Sequence, residues 1–169
     1  MHVDVTEFTR LMLGEEVAAA IHETWRELAR QHGWSMQPHL ARPYAALAEA
    51  DKDDNRAAAL RIADVLALAG LGLRRASDGD EPAIPEAEWQ AALDQHLEAM
   101  AEAEHDGWMA HKARNGWRYD AVRDDALKLH PCMLPYADLE EKEKDKDRDS
   151  IRHYPAFAAR TNHRIVRLV

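Results

Sequence analysis

The chain has 169 residues, of which 46% are hydrophobic and 31% charged, the balance of a folded globular protein long enough for one well-buried core or two small modules. Its formal net charge of -9 argues against long nucleic acids, whose binding needs a broad basic face, while a small anionic ligand needs only a few local cations. No apolar run reaches the ~18 residues that would span a bilayer, so no membrane partner is expected. "MHVDVTEFTR" lacks the basic start and apolar core of a signal peptide. The lone Cys132 has no internal disulfide partner, and a reducing, cytoplasmic setting fits it.

The predicted elements run as follows. "GEEVAAAIHETWRELARQHG" reads as a helix with Val17, Ile21 and Leu28 on one face, and Gly33 is placed to end it in a left-handed turn. "DDNRAAALRIADVLALAG" reads as a second helix, capped by Asp and stopped by Gly70. "LGLRRA" alternates well enough for a short strand. "ASDGDEPAIP" is rich in Asp, Gly and Pro and reads as a linker. "PEAEWQAALDQHLEAMAEAEHDGWMAHKARNG" reads as a long helix with Pro85 in its first turn and Gly116 at its stop. "DLEEKEKDKDRD" reads as a solvated face with i,i+4 ion pairs. "KDRDSIRHYPAFAARTN" reads as helix, bent or broken at Pro155. "HRIVRLV" reads as a closing strand. The fold class is mainly α with minor short β-strands.

The chain also repeats itself. A shift of 83 places His22 on His105, Trp25 on Trp108, Gly33 on Gly116 and Trp34 on Trp117. A shift of 92 places "PYAALAEADKDDNR" on "PYADLEEKEKDKDR" with eight of 14 positions identical, where chance gives about one. The second copy carries nine extra residues, within "RYDAVRDDALKLHPC". Residues 1–75 and 86–169 therefore read as two tandem modules joined by a linker over 76–85. Each is small for an independent core, which predicts that they pack together as a pseudo-twofold pair.

The candidate site lies where the long second-module helix changes character. Leu93, Leu97 and Met100 form its apolar face, and the next positions on that face are Glu104, Trp108 and His111, flanked by His105. One reading is a helix end emerging into solvent. The other is a site, because the following loop adds Tyr119, Arg123, Asp124, Asp125, Lys128 and His130. Tryptophan faces stack on flat rings, and an arginine fork meets phosphate. Trp34 and Trp117, each just after a helix-ending glycine, read as core plugs, and Trp89 as packing. Ten histidines occur without compact ligand spacing, so no metal is expected. No GxSxG, P-loop or GxGxxG is present, no cofactor is called for, and Cys132 beside Pro131 reads as a small buried residue rather than a nucleophile.

"HDGWMAHKARNGWRYDAVRDDALKLHPCMLPYADLEEKEKDKDRDSI" resembles the ryanodine-receptor (RyR) repeat domain family, through HxxW, GWxY, VRDD, HPC and an acidic-basic segment ending near DRD, in that order. The first module resembles a degenerate copy, with HETW, HGW and PYAALAEADKDDNR but without the VRDD and HPC blocks. The resemblance implies tandem helical repeats with short strands, as in stand-alone prokaryotic and viral tandem RyR-domain proteins. It also implies an adenine nucleotide held between aromatic side chains of the two copies. Carried onto this sequence, it points to His22, Trp25, His105, Trp108, Arg123 and Asp124.

The function expected is thus non-enzymatic binding of a small nucleotide-derived ligand, such as an adenine nucleotide, an ADP-ribose-like molecule or a cyclic nucleotide, by a sensor or sequestering protein. The site would comprise His22, Trp25, His105, Trp108, Arg114, Tyr119, Arg123 and Asp124, in a composite cleft between the repeats. The alternative is an interaction scaffold whose exposed aromatic helix ends dock a partner or a second copy of the chain, as a homo-oligomer.

Overall fold

The structure, a computed structural model, describes residues 5–76 and 82–168, and describes side chains in the first helix from Gly14 onward. Residues 1–4 of "MHVDVTEFTR" and the centre of the expected linker, residues 77–81, lie outside the described residues.

Helix α1 runs Val5–His32, starting earlier than the periodic pattern indicates. Val17, Ala18, Ile21 and Ala29 are buried at the three- and four-residue spacing of one helical face. Gly33 (φ 67°) ends the helix, and the Trp34 amide donates back to the Ala29 carbonyl at 2.9 Å, closing a Schellman-type turn. A 3₁₀ turn at Tyr44–Ala46 then leads into α2, Glu49–Ala67. The expected aspartate cap is corrected here. Ala48 is the N-cap and offers no side-chain bond, while Glu49 and Asp51 in the first turn meet the positive end of the helix dipole instead. Gly70 (φ 71°) turns the chain into strand β1, Leu71–Arg75.

Helix α3, Glu86–Arg114, has Pro85 at its N-cap and ends at Gly116 (φ 87°) with the same back-bond, from Trp117 to Lys112 at 3.0 Å. The extra segment follows. It forms two-residue strands β2 (Arg118–Tyr119) and β3 (Leu129–His130), paired in parallel. A second 3₁₀ turn at Tyr136–Asp138 leads into α4, Glu141–Arg152, and then α5, Tyr154–Arg160. The break falls at His153, with Pro155 in the first turn of α5, where its missing N–H costs nothing. Strand β4, His163–Arg167, pairs antiparallel with β1. In that ladder Leu73 lies opposite Ile165, and those two positions are themselves 92 residues apart.

Local contacts recur in both halves. Tyr44 donates to Glu15 at 2.9 Å and Tyr136 to Glu98 at 3.0 Å. Arg56 reaches Glu15, Glu49 and Asp53, and Arg148 reaches Glu98, Glu141 and Asp145. Lys52 sits 5.8 Å from the Tyr44 ring and Lys144 5.5 Å from the Tyr136 ring. The acidic-basic stretch of α4 is thus only partly a solvated face. Within the helix Lys144–Glu141, Lys146–Glu143 and Arg148–Asp145 pair at i,i+3, Arg148 also reaches Glu141 seven residues back, and Arg148 ties the helix to Glu98 of α3.

A single apolar cluster joins both halves. Val17 and Ile21 of α1, Ile62 and Leu66 of α2, Leu71 of β1, Trp89 and Met100 of α3, and Phe157 of α5 belong to it. Burying each large apolar side chain contributes about 1.5–3 kcal/mol, so the halves are mutually stabilising rather than beads on a string. At the junction of α2 and α3, Arg61 makes two bonds to the buried Glu104, at 2.8 and 3.1 Å, and lies across Gly107. Burial pushes the Glu104 carboxyl above its usual range, although Arg61 opposes this.

Candidate functional site

The two HxxW histidines are interior. His22 and His105 are both buried, and each Nε2 donates to a backbone carbonyl at 2.6 Å, from Arg42 and from Leu134. Those carbonyls immediately precede the two Pro-Tyr pairs, so each histidine pins its 3₁₀ turn onto the long helix of its own half. His105 also presents Nδ1 to Asp147 at 3.5 Å. Burial opposes its charge, yet Asp147 and the Leu134 carbonyl outweigh burial and raise its pKa.

The tryptophans have separate surroundings. Trp25 packs against the apolar core and lies 5.7 Å from Trp34, which stacks on His32 at 4.9 Å. Trp108 stacks on His105 at 5.5 Å and lies T-shaped to His130 at 5.0 Å. No ring contact joins Trp25 to Trp108 among the described residues. Trp34 and Trp117, expected as core plugs, are half-buried, and Trp117 carries the Lys112 ammonium 4.1 Å above its ring. Trp89 is a core residue, as expected.

The charged residues of the second half collect where the end of α3 and the extra loop meet the first half. Lys112 bonds Asp54 of α2 at 2.6 Å, and His111 contacts the other Asp54 oxygen at 3.1 Å. Arg123 forks onto Asp125 at 2.6 and 3.1 Å, and Asp125 also meets His39 of the first half at 3.0 Å. Desolvation opposes the Asp125 charge, but Arg123 prevails and holds its carboxyl low. His130 lies behind this row. Its Nδ1 accepts the Cys132 amide at 3.0 Å, which fixes the tautomer protonated on Nε2. Burial first, then Arg123 and Lys112, push its pKa down to about 4, so the ring stays neutral. Cys132 is pushed up to about 12 by burial, then by Glu143, and is no thiolate nucleophile at neutral pH.

Of the remaining predicted residues, Tyr119 and Arg114 are exposed, and Asp124 turns back to accept the Leu127 amide at 3.1 Å. Two cavities are described. One of about 660 Å³ runs along Glu16, Ala19, Ala20 and Glu23 of α1 beside the Arg160–Asn162 turn, and one of about 150 Å³ lies between Trp89, Pro155 and β4. Neither is lined by a predicted site residue. Among the described residues, no group of three or more His, Cys, Asp or Glu is arranged to hold a metal ion, and no helix is long and apolar enough to cross a membrane.

One stretch of the chain also matches a known family. Residues 85–165 match the family model of the RyR domain. The matched stretch spans α3, the extra loop, α4 and α5 and ends inside β4, just under half of the chain. It contains Trp108, Lys112, Arg123 and His130, while their neighbours His39, Asp51 and Asp54 lie outside it. Those three are the residues sequence reasoning missed. Asp51 and Asp54 sit in "PYAALAEADKDDNR", whose copy in the second half reads as a solvated face. His39 lies in a loop with no periodic signal.

Proposed function

We propose that the chain is a tandem of two RyR-like repeats, packed as a pseudo-twofold pair, that binds a small nucleotide-derived ligand without turning it over. The duplicated Tyr–Glu–Arg contacts and the Leu73–Ile165 pairing support the tandem reading. The observation that carries the binding reading is the gathering of aromatic and cationic groups at one seam. Trp108, the neutral His130 and Trp117 supply flat faces and edges, and Lys112 and Arg123 supply positive charge beside them. A ring-bearing anion matches that chemistry, with the ring on Trp108 and phosphate drawing Arg123 from Asp125. His22 and His105 serve this site as anchors of the scaffold. Trp25 belongs to the first repeat's aromatic cluster rather than to the seam. The row consists of ring faces and paired charges, which suit holding a ligand in a sensor or sequestering role.

The test is calorimetric titration with adenine nucleotides, ADP-ribose and cyclic dinucleotides. The reading expects one of them to bind, and Trp108→Ala to weaken it by about 1–3 kcal/mol. Binding unaltered by Trp108→Ala refutes this location, and no binding by any of them at near-millimolar concentration refutes the function.

A further inference from the structure

The duplication exposes one residue whose role differs between the copies. Glu143 of the second half and Asp51 of the first are equivalent under the shift of 92. Glu143 accepts the Cys132 thiol at 3.4 Å and pairs with Lys146 at 3.2 Å. The first half lacks the HPC block, so it offers no such thiol. Its counterpart of Lys146 is Asp54, which turns to Lys112 and His111. No hydrogen bond or ion pair reaches the Asp51 side chain from any described residue. Even so, Asp51 is half-buried and lies one helical turn before Asp54, whose carboxylate meets Lys112 and His111 across the seam.

We propose that Asp51 is the specificity residue of the seam, accepting a hydrogen bond from an uncharged N–H or O–H donor of the bound ligand, either a base amine or a ribose hydroxyl. This rests on the binding reading above. The physical reason is asymmetry. A carboxylate is acceptor-only, so it selects a ligand edge that donates, and its partial burial makes an absent donor costly. Arg123 and Lys112 lie on the second-half side of the same seam for the ligand's phosphate, leaving Asp51 to read the part of the molecule that carries no charge. The first half thereby contributes recognition although it lacks a counterpart of Arg123.

The experiment is a set of titrations of the full chain with ADP, with its analogue bearing hydrogen in place of the 6-amino group, and with 2′,3′-dideoxy-ADP. In the wild type one analogue is expected to bind at least about tenfold more weakly than ADP, and which one identifies the donor. Asp51→Ala is expected to weaken ADP by a similar factor and to erase that preference. Asp51→Asn keeps the side-chain volume, should alanine disturb the fold, and is expected to reduce the preference. Equal binding of all three ligands by the wild type overturns the proposal, as does a preference unchanged in both variants. In either case ADP still binds and the function reading survives. Failure of ADP to bind at all overturns this proposal, while the function reading then stands or falls on the wider panel above.

Discussion

His130 couples its own burial to the pH dependence of stability. Its folded pKa is depressed from 6.5 to about 4, so between those values the unfolded chain binds a proton that the folded chain refuses. Stability from this group is therefore full above pH 6.5, falls as the pH drops toward 4, and changes no further below. Urea midpoints measured from pH 7 to pH 4 are expected to fall more steeply for wild type than for His130→Gln. Parallel curves contradict the assignment. Gly107 offers a second handle. A Cβ there would lie 2.1 Å from Cδ of Arg61, whose guanidinium is held by Glu104. Alanine in a helix interior ordinarily gains about 1 kcal/mol over glycine. Here it pushes Arg61 off a buried carboxylate, a loss of about 3 kcal/mol or more. Gly107→Ala is expected to destabilise by about 2 kcal/mol in chemical denaturation, and a stabilised variant contradicts the packing.

Among the elements, one set of side-chain contacts occurs in each half. Arg56 and Arg148 each clamp a glutamate on the long helix and two carboxylates on their own helix. Arg56→Ala and Arg148→Ala are expected to cost similar amounts, about 1–2 kcal/mol each, because both pairs are partly solvent-screened. A cost confined to one of them contradicts structural equivalence of the clamps. These elements were largely legible in the sequence. Helical periodicity, the stops at Gly33, Gly70 and Gly116, the break near Pro155 and the two terminal strands all follow from local chemistry that tertiary structure did not override. The start of α2 was not legible, because Asp53 and Asp54 look like a cap while the 3₁₀ turn before Glu49 begins the helix a turn earlier. The site was legible only in part. Trp108 and Arg123 stand out by type and motif, but burial of His22 and His105 against backbone carbonyls depends on how each Pro-Tyr turn folds back. His39, Asp51 and Asp54 become neighbours of Lys112 and Asp125 only through packing between halves, which no local pattern encodes.

At the scale of the whole molecule, a shared core, the β1–β4 ladder and the Arg61–Glu104 pair make the relative placement of the halves part of the fold. That placement sets the Asp54–Lys112 and His39–Asp125 contacts across the seam. In the proposed function a ligand settles there, on the second half's aromatic faces and within reach of both halves. Five tryptophans report on it from different places, and their indole N–H signals can be followed together by NMR during a titration with ADP or ADP-ribose. The Trp108 and Trp117 signals are expected to move in a saturable manner, while that of Trp89, buried in the core, stays fixed. Saturable binding that leaves Trp108 and Trp117 unmoved, or no movement of any of the five, contradicts that expectation.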